Sequence, residues 1–130
     1  MPGKHLLAFS SKTQALVALS SGESEWYSIV KGVVDALYFK SLCKDLHMEV
    51  ISEVHSDSAA ARGAARRMGT GPRMKHLQAN TLFIQQYVKS GEVRMQKVDT
   101  TVNPADLGTK ALTEERIVSL LRLMSCMYLK

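Results

Sequence analysis

The chain has 130 residues, of which 45% are hydrophobic and 22% charged. Those proportions exclude a disordered tail, and the length leaves room for one compact domain rather than two. No apolar run approaches the roughly 20 residues needed to span a bilayer, and the N-terminal Met-Pro-Gly-Lys-His lacks a long apolar secretory core. The expected setting is therefore the cytoplasm or nucleus, without export. Cys43 and Cys126 both sit in helical patterns among apolar neighbours. They read as buried thiols in a reducing compartment, not as a disulfide or a metal site.

Residues 1–5 are expected to be disordered. From Leu6 to Leu19 an apolar run passes through Ser10-Ser-Lys-Thr-Gln14 into Ala15-Leu-Val-Ala-Leu19, an extended segment with a polar middle. The longest predicted helix follows, from about Gly22 to about Leu46. Ser20 and Glu23 stand at capping-box spacing, and Trp26, Ile29, Val30, Val33, Ala36 and Leu37 recur at three and four to form its apolar face. Val50 to Ser56 reads as a short β-branched strand ending at Asp57, and Ser58 to Met68 as an Ala- and Arg-rich helix broken by Gly69-Thr-Gly-Pro72.

A helix over about Lys75–Lys89 takes Leu77, Phe83, Ile84, Tyr87 and Val88 as its apolar contacts and stops at Ser90-Gly91. Glu92 to Val98 alternates as a strand with one buried face. Asn103-Pro104 opens a short helix, with Pro at the tolerated first position. A last helix begins at Thr113 and runs to the C-terminus. No repeat, low-complexity tract or linker interrupts the chain, so a single α/β unit over 1–130 is expected.

Three acids share one local position, where a strand end passes into a helix start: Glu25, Asp57 and Asp106. In α/β sheets such edges gather ligands. Carboxylates converging there would repel one another unless a divalent cation neutralised them, and hard oxygen ligands suit Mg²⁺ or Mn²⁺. Each acid also has a plainer reading. Glu25 favours the positive end of the helix dipole, Asp57 caps the following helix, and Asp106 faces an Asn103 cap.

Charge is distributed unevenly. Lys and Arg number 17 against 12 acids, a formal net charge of +5. From Ala59 to Ala79 the chain carries Arg62, Arg66, Arg67, Arg73, Lys75 and His76 with no acidic residue. Such a segment attracts a polyanion such as nucleic acid, or is simply a solvated basic face.

Several stretches resemble, in order, the ribonuclease H domain of copia-type retrotransposon polyproteins. Ser10-Ser-Lys-Thr-Gln14 with Val17-Ala-Leu-Ser-Ser-Gly-Glu-Ser-Glu-Trp-Tyr27 is similar to the segment that introduces that family's long helix. His55-Ser-Asp-Ser-Ala-Ala60 resembles its strand-end Asp motif, and Arg73-Met-Lys-His-Leu77 its Lys-His-Ile helix. Lys89-Ser-Gly-Glu-Val93 and Asn103-Pro-Ala-Asp-Leu-Gly-Thr-Lys110 resemble its closing strand and last acidic motif.

The resemblance implies an α/β, ribonuclease H-like fold with a truncated mixed sheet of about three strands and flanking helices. It implies that Glu25, Asp57 and Asp106 match three of four active-site carboxylates, which in the family hold two Mg²⁺ ions and cleave RNA in RNA–DNA hybrids. Glu25 matches better than Glu23, which fills the capping position. The family's first catalytic Asp and its hairpin strand would precede this chain, so the chain alone is expected to be inactive. Asp99 stands near the last strand end as a weaker substitute ligand.

Two functions compete, beside a third reading as a purely structural helical protein or an untranslated remnant. One is a fragment of a Pol polyprotein's ribonuclease H domain, whose partners are the hybrid and the remainder of the polyprotein. The other is a non-catalytic nucleic-acid-binding module using the basic 62–76 region, with Arg66, Arg67, Arg73, Lys75 and His76 as its contacts.

Overall fold

A computed structural model describes residues 5–11, 21–67, 69 and 78–126. Along the chain run α1 (Ser21–Asp45), β1 (Ser52–Ser56), α2 (Ala59–Arg66), α3 (Gln78–Lys89), β2 (Val93–Lys97) and α4 (Glu114–Leu123). Two 3-10 turns, Thr100–Val102 and Pro104–Gly108, lie between β2 and α4. The chain forms two compact units, Gln14–Lys97 and Met1–Thr13 with Val98–Lys130.

The first unit is built on α1. Trp26, Ile29 and Val33 are buried at the expected spacing, with Tyr27, Val30 and Leu37 packed beside them. The helix ends one residue earlier than expected because His47 takes a left-handed conformation, φ 57°. The Met48 N–H then donates to the Cys43 carbonyl at 2.8 Å and the His47 N–H to the Lys44 carbonyl at 2.9 Å, satisfying carbonyls the helix leaves open.

β1 and β2 pair in parallel, with Val54 beside Met95. The connection between them carries α2 and α3, the kind of crossover a parallel pair needs. Val93 and Met95 are buried and Val54 packs against the same core, while Glu53, His55, Arg94 and Gln96 on the opposite face are exposed. α1 packs on this sheet at Gly32, where a Cβ would make an ordinary contact of 3.4 Å with Val54 Cγ1.

Among the described residues the sheet has two strands and is wholly parallel, where about three in a mixed sheet were expected. The extended segment expected over Leu6–Leu19 is described only in part. Its first part is irregular through Ser11, and Lys12–Leu19 lies outside the described residues.

α2 buries Ala61, Ala64 and Ala65, side chains small enough to bring its backbone against the core. On α3 the buried face is Thr81, Ile84 and Gln85, while Phe83, expected inside, is 38% exposed. Phe83 instead meets the Tyr87 ring edge-on at 4.8 Å. Gln85 is buried because its carboxamide is fully used. Its Nε2 donates to the carbonyls of Ala64 (2.9 Å) and Gly69 (2.8 Å), and its Oε1 accepts from the Gly69 N–H (2.9 Å). This one side chain fixes the exit of α2 to α3.

In the second unit Asn103 caps the turn at Pro104–Gly108, its Oδ1 accepting from the Ala105 N–H at 3.1 Å, with Pro104 in the first turn as expected. The N-terminal segment lies on this turn. A Cβ at Gly108 would stand 2.7 Å from Phe9 Cζ, and the Ser11 hydroxyl donates to the Gly108 carbonyl at 2.8 Å.

The helix begun at Thr113 does not run to the C-terminus. Ser125 turns left-handed at φ 56°, and the Cys126 N–H donates to the Leu121 carbonyl at 2.9 Å, which closes α4 at Leu123. Residues 127–130 lie outside the described residues. Cys43 and Cys126 are free thiols, half-buried where burial was expected. Among the described residues no helix is long and apolar enough to cross a membrane.

Candidate functional site

β1 delivers Asp57 to the position just past its C-terminal end, half-buried and immediately before α2. The plainer reading made Asp57 the cap of α2. That role belongs to Ser58, whose hydroxyl oxygen accepts from the Ala61 N–H at 3.2 Å. The Ser58 N–H in turn donates to the Ser56 hydroxyl at 3.1 Å, so serines on both sides of Asp57 satisfy the local backbone. The Asp57 carboxylate has no hydrogen-bond or ion-pair partner among the described residues.

Glu25 lies in the first turns of α1, exposed and likewise without a described side-chain partner. Glu23 differs sharply. It is buried, and its Oε1 accepts from the Tyr27 hydroxyl at 2.9 Å. Burial, then the Glu23 hydrogen bond and charge, raise the Tyr27 phenol above its ordinary value. Ser20, the expected capping partner of Glu23, lies outside the described residues. The i, i+4 spacing of Glu23 and Tyr27 was the available signal for this pair.

Asp106 is buried in the second unit and strongly held. Lys110 Nζ lies 2.8 Å from its Oδ1 and Arg116 Nη2 lies 3.2 Å from its Oδ2. The Lys110 hydrogen bond, followed by the Lys110 charge and the Arg116 contacts and opposed by burial, holds this carboxyl below the usual Asp range. Asp99, the weaker candidate, caps the turn at Thr100–Val102. Its Oδ1 accepts from the Thr101 N–H at 2.9 Å and the Thr101 hydroxyl at 2.7 Å.

The basic residues divide in the same way. Arg62 Nη1 donates to the Ser56 carbonyl at 2.6 Å and Arg66 Nη2 to the Met95 carbonyl at 2.7 Å, so both tie α2 to the two strands. Arg67, at the end of α2, is exposed. Arg73, Lys75 and His76 lie outside the described residues. Strand carbonyls as partners of Arg62 and Arg66 had no signal in the sequence, because composition and spacing do not show which helix face turns to the sheet.

Glu25 and Asp57 belong to one unit and Asp106 to the other. Among the described residues no three His, Cys, Asp or Glu side chains form a group that could hold a metal ion. The donors are of the right chemistry for Mg²⁺ or Mn²⁺, and two of the three carboxylates are uncommitted.

Three retrovirus-related Pol polyproteins of plant transposons are similar to this chain. That of transposon TNT 1-94 from Nicotiana tabacum is 25% identical over 111 residues. Those of transposons RE2 and RE1 from Arabidopsis thaliana are each 30% identical over 113 residues. The chain is related to one short stretch of Pol polyproteins. Each match covers 85% of this chain, and the chain spans about 8% of the length of the curated relatives it matches. No family model matches the chain. No solved structure matches it either.

Proposed function

We propose that this chain is part of the ribonuclease H domain of a retrotransposon Pol polyprotein, a domain that hydrolyses the RNA strand of RNA–DNA hybrids. Asp57 carries the reading. It stands at the C-terminal end of a parallel strand, where α/β sheets bind ligands, and its carboxylate is left open because Ser58 does the capping. Glu25 is the second open carboxylate, and Asp106 the third acid of the set.

Mg²⁺ or Mn²⁺ would supply charge neutralisation and water activation in such a domain. These 130 residues contain three of the four carboxylates that the resemblance requires, and Asp106 is already neutralised by Lys110 and Arg116. The chain by itself is therefore expected to cleave hybrid poorly. Exposed Arg67 is available for phosphate. In the alternative, a purely nucleic-acid-binding module, exposed Arg67 would act with Arg66, one of whose nitrogens already serves a strand carbonyl.

Fusing the chain to a hairpin that carries the fourth acid tests the proposal. The fusion should cleave hybrid in Mg²⁺, and Asp57→Asn within it should stay folded and lose cleavage. A folded fusion whose activity survives Asp57→Asn would overturn the role given to Asp57.

A further inference from the structure

The face of α1 turned away from the core is unusually apolar for solvent. Val34 is 45% exposed, Tyr38 69% and Leu42 45%, and Phe39 meets Tyr38 edge-on with ring centroids 6.1 Å apart. Single exposed hydrophobes need no explanation, but a contiguous row on one helix face marks an interaction surface. Helical geometry also shows what lies at its ends. Lys31, Tyr38 and Asp45 are spaced seven apart, so they lie on one line along the helix, with Val34 and Leu42 straddling Tyr38 on either side.

We infer that this face pairs with the same face of a second copy of the chain, α1 against α1 in antiparallel orientation, with the two-fold axis at Tyr38. The reason is charge complementarity. In an antiparallel pair centred on Tyr38, residue numbers facing one another sum to twice 38. Val34 then faces the partner's Leu42, Tyr38 faces its own copy, and Lys31 faces the partner's Asp45. Each ion pair occurs twice by symmetry, about 10 Å along the axis on either side of Tyr38.

A parallel pair would instead stack Lys31 on Lys31 and Asp45 on Asp45. Lys31 already contacts Asp35 at 2.5 Å on its own helix, with its side chain 58% exposed, so its remaining donors are free to bridge to a facing carboxylate. Asp45 is exposed at the last turn. A single helix pair buries less than a standard interface, so the dimer is a weak one.

Sedimentation equilibrium of the full chain, over roughly 10 µM to 1 mM, measures it. The wild type should dimerise at the upper end of that range. Lys31→Asp and Asp45→Lys should each weaken dimerisation about tenfold, by setting like charges opposite one another twice. The double variant K31D/D45K should recover the wild-type constant to within about threefold. Circular dichroism checks that α1 survives each change. Tyr38→Glu, at the most exposed position, gives an independent variant that should be monomeric. A wild type monomeric throughout, a dimer unchanged by the single charge reversals, no recovery in the double variant, or a Tyr38→Glu dimer would each overturn the inference.

Discussion

Arg116 places one nitrogen, Nη2, between the Asp106 carboxylate at 3.2 Å and the Thr100 carbonyl at 2.6 Å. Together with Lys110 it holds the acid of the last sequence motif in place and couples α4 to both 3-10 turns. The same contacts lower the Asp106 pKa in the folded chain. A carboxyl depressed by folding contributes stability above its unfolded value of about 4 and loses it as pH falls through the lower folded value. Asp106→Asn should therefore lower the urea midpoint at pH 7, and the difference from wild type should shrink below about pH 4. A difference that stays constant from pH 7 to pH 3 would show that the ion pairs contribute nothing.

Thr81 is buried on α3, and its hydroxyl has no hydrogen-bond partner among the described residues. Valine has nearly the same shape and helix propensity, without the stranded hydroxyl. Thr81→Val should leave stability unchanged or raise it by up to about 1 kcal/mol, since leaving such a group buried costs about that much or more. Chemical denaturation of the two proteins decides it, and a loss above about 1 kcal/mol would mean the hydroxyl is bonded.

Two glycines should respond in opposite directions to alanine. A Cβ on Gly63, within α2, meets nothing within 4 Å, so Gly63→Ala should stabilise by roughly 0.5–1 kcal/mol through helix propensity. A Cβ on Gly108 meets Phe9 Cζ at 2.7 Å and Ser11 Cβ at 3.1 Å. Phe9 is 57% exposed and can swing aside, so the expected effect of Gly108→Ala is release of the N-terminal segment rather than global unfolding. Limited proteolysis ahead of Ser11 should accelerate in this variant, and an unchanged rate would contradict the packing.

What the sequence made legible was local. The apolar spacing of Trp26, Ile29 and Val33 and the alternation of Val93 and Met95 placed α1 and β2 to within a residue or so. Asn103 and Pro104 marked the start of their turn. What it left hidden depended on tertiary partners. Gln85 is polar, and the carbonyls of Ala64 and Gly69 together with the Gly69 N–H make its burial favourable. Arg62 and Arg66 read as surface charge until strand carbonyls appear beside them. The end of α4 turns on a left-handed serine, a conformation that glycine or asparagine would have signalled and Ser125 does not. At the site, spacing picked out three acids, but not that two would be uncommitted and one held by Lys110 and Arg116.

In the proposed function Asp57 and Glu25 take a divalent cation, and the most direct test is Mn²⁺ line broadening in the amide NMR spectrum of the isotope-labelled chain. Weak binding suffices for this measurement, so the incomplete carboxylate set does not prevent it. Broadening should begin at Asp57 and its neighbours and at Glu25, be competed by excess Mg²⁺, and disappear from those positions in Asp57→Asn. Broadening spread evenly over exposed acids, or unchanged at Glu25 and around residue 57 in that variant, would mean that these two carboxylates hold no cation.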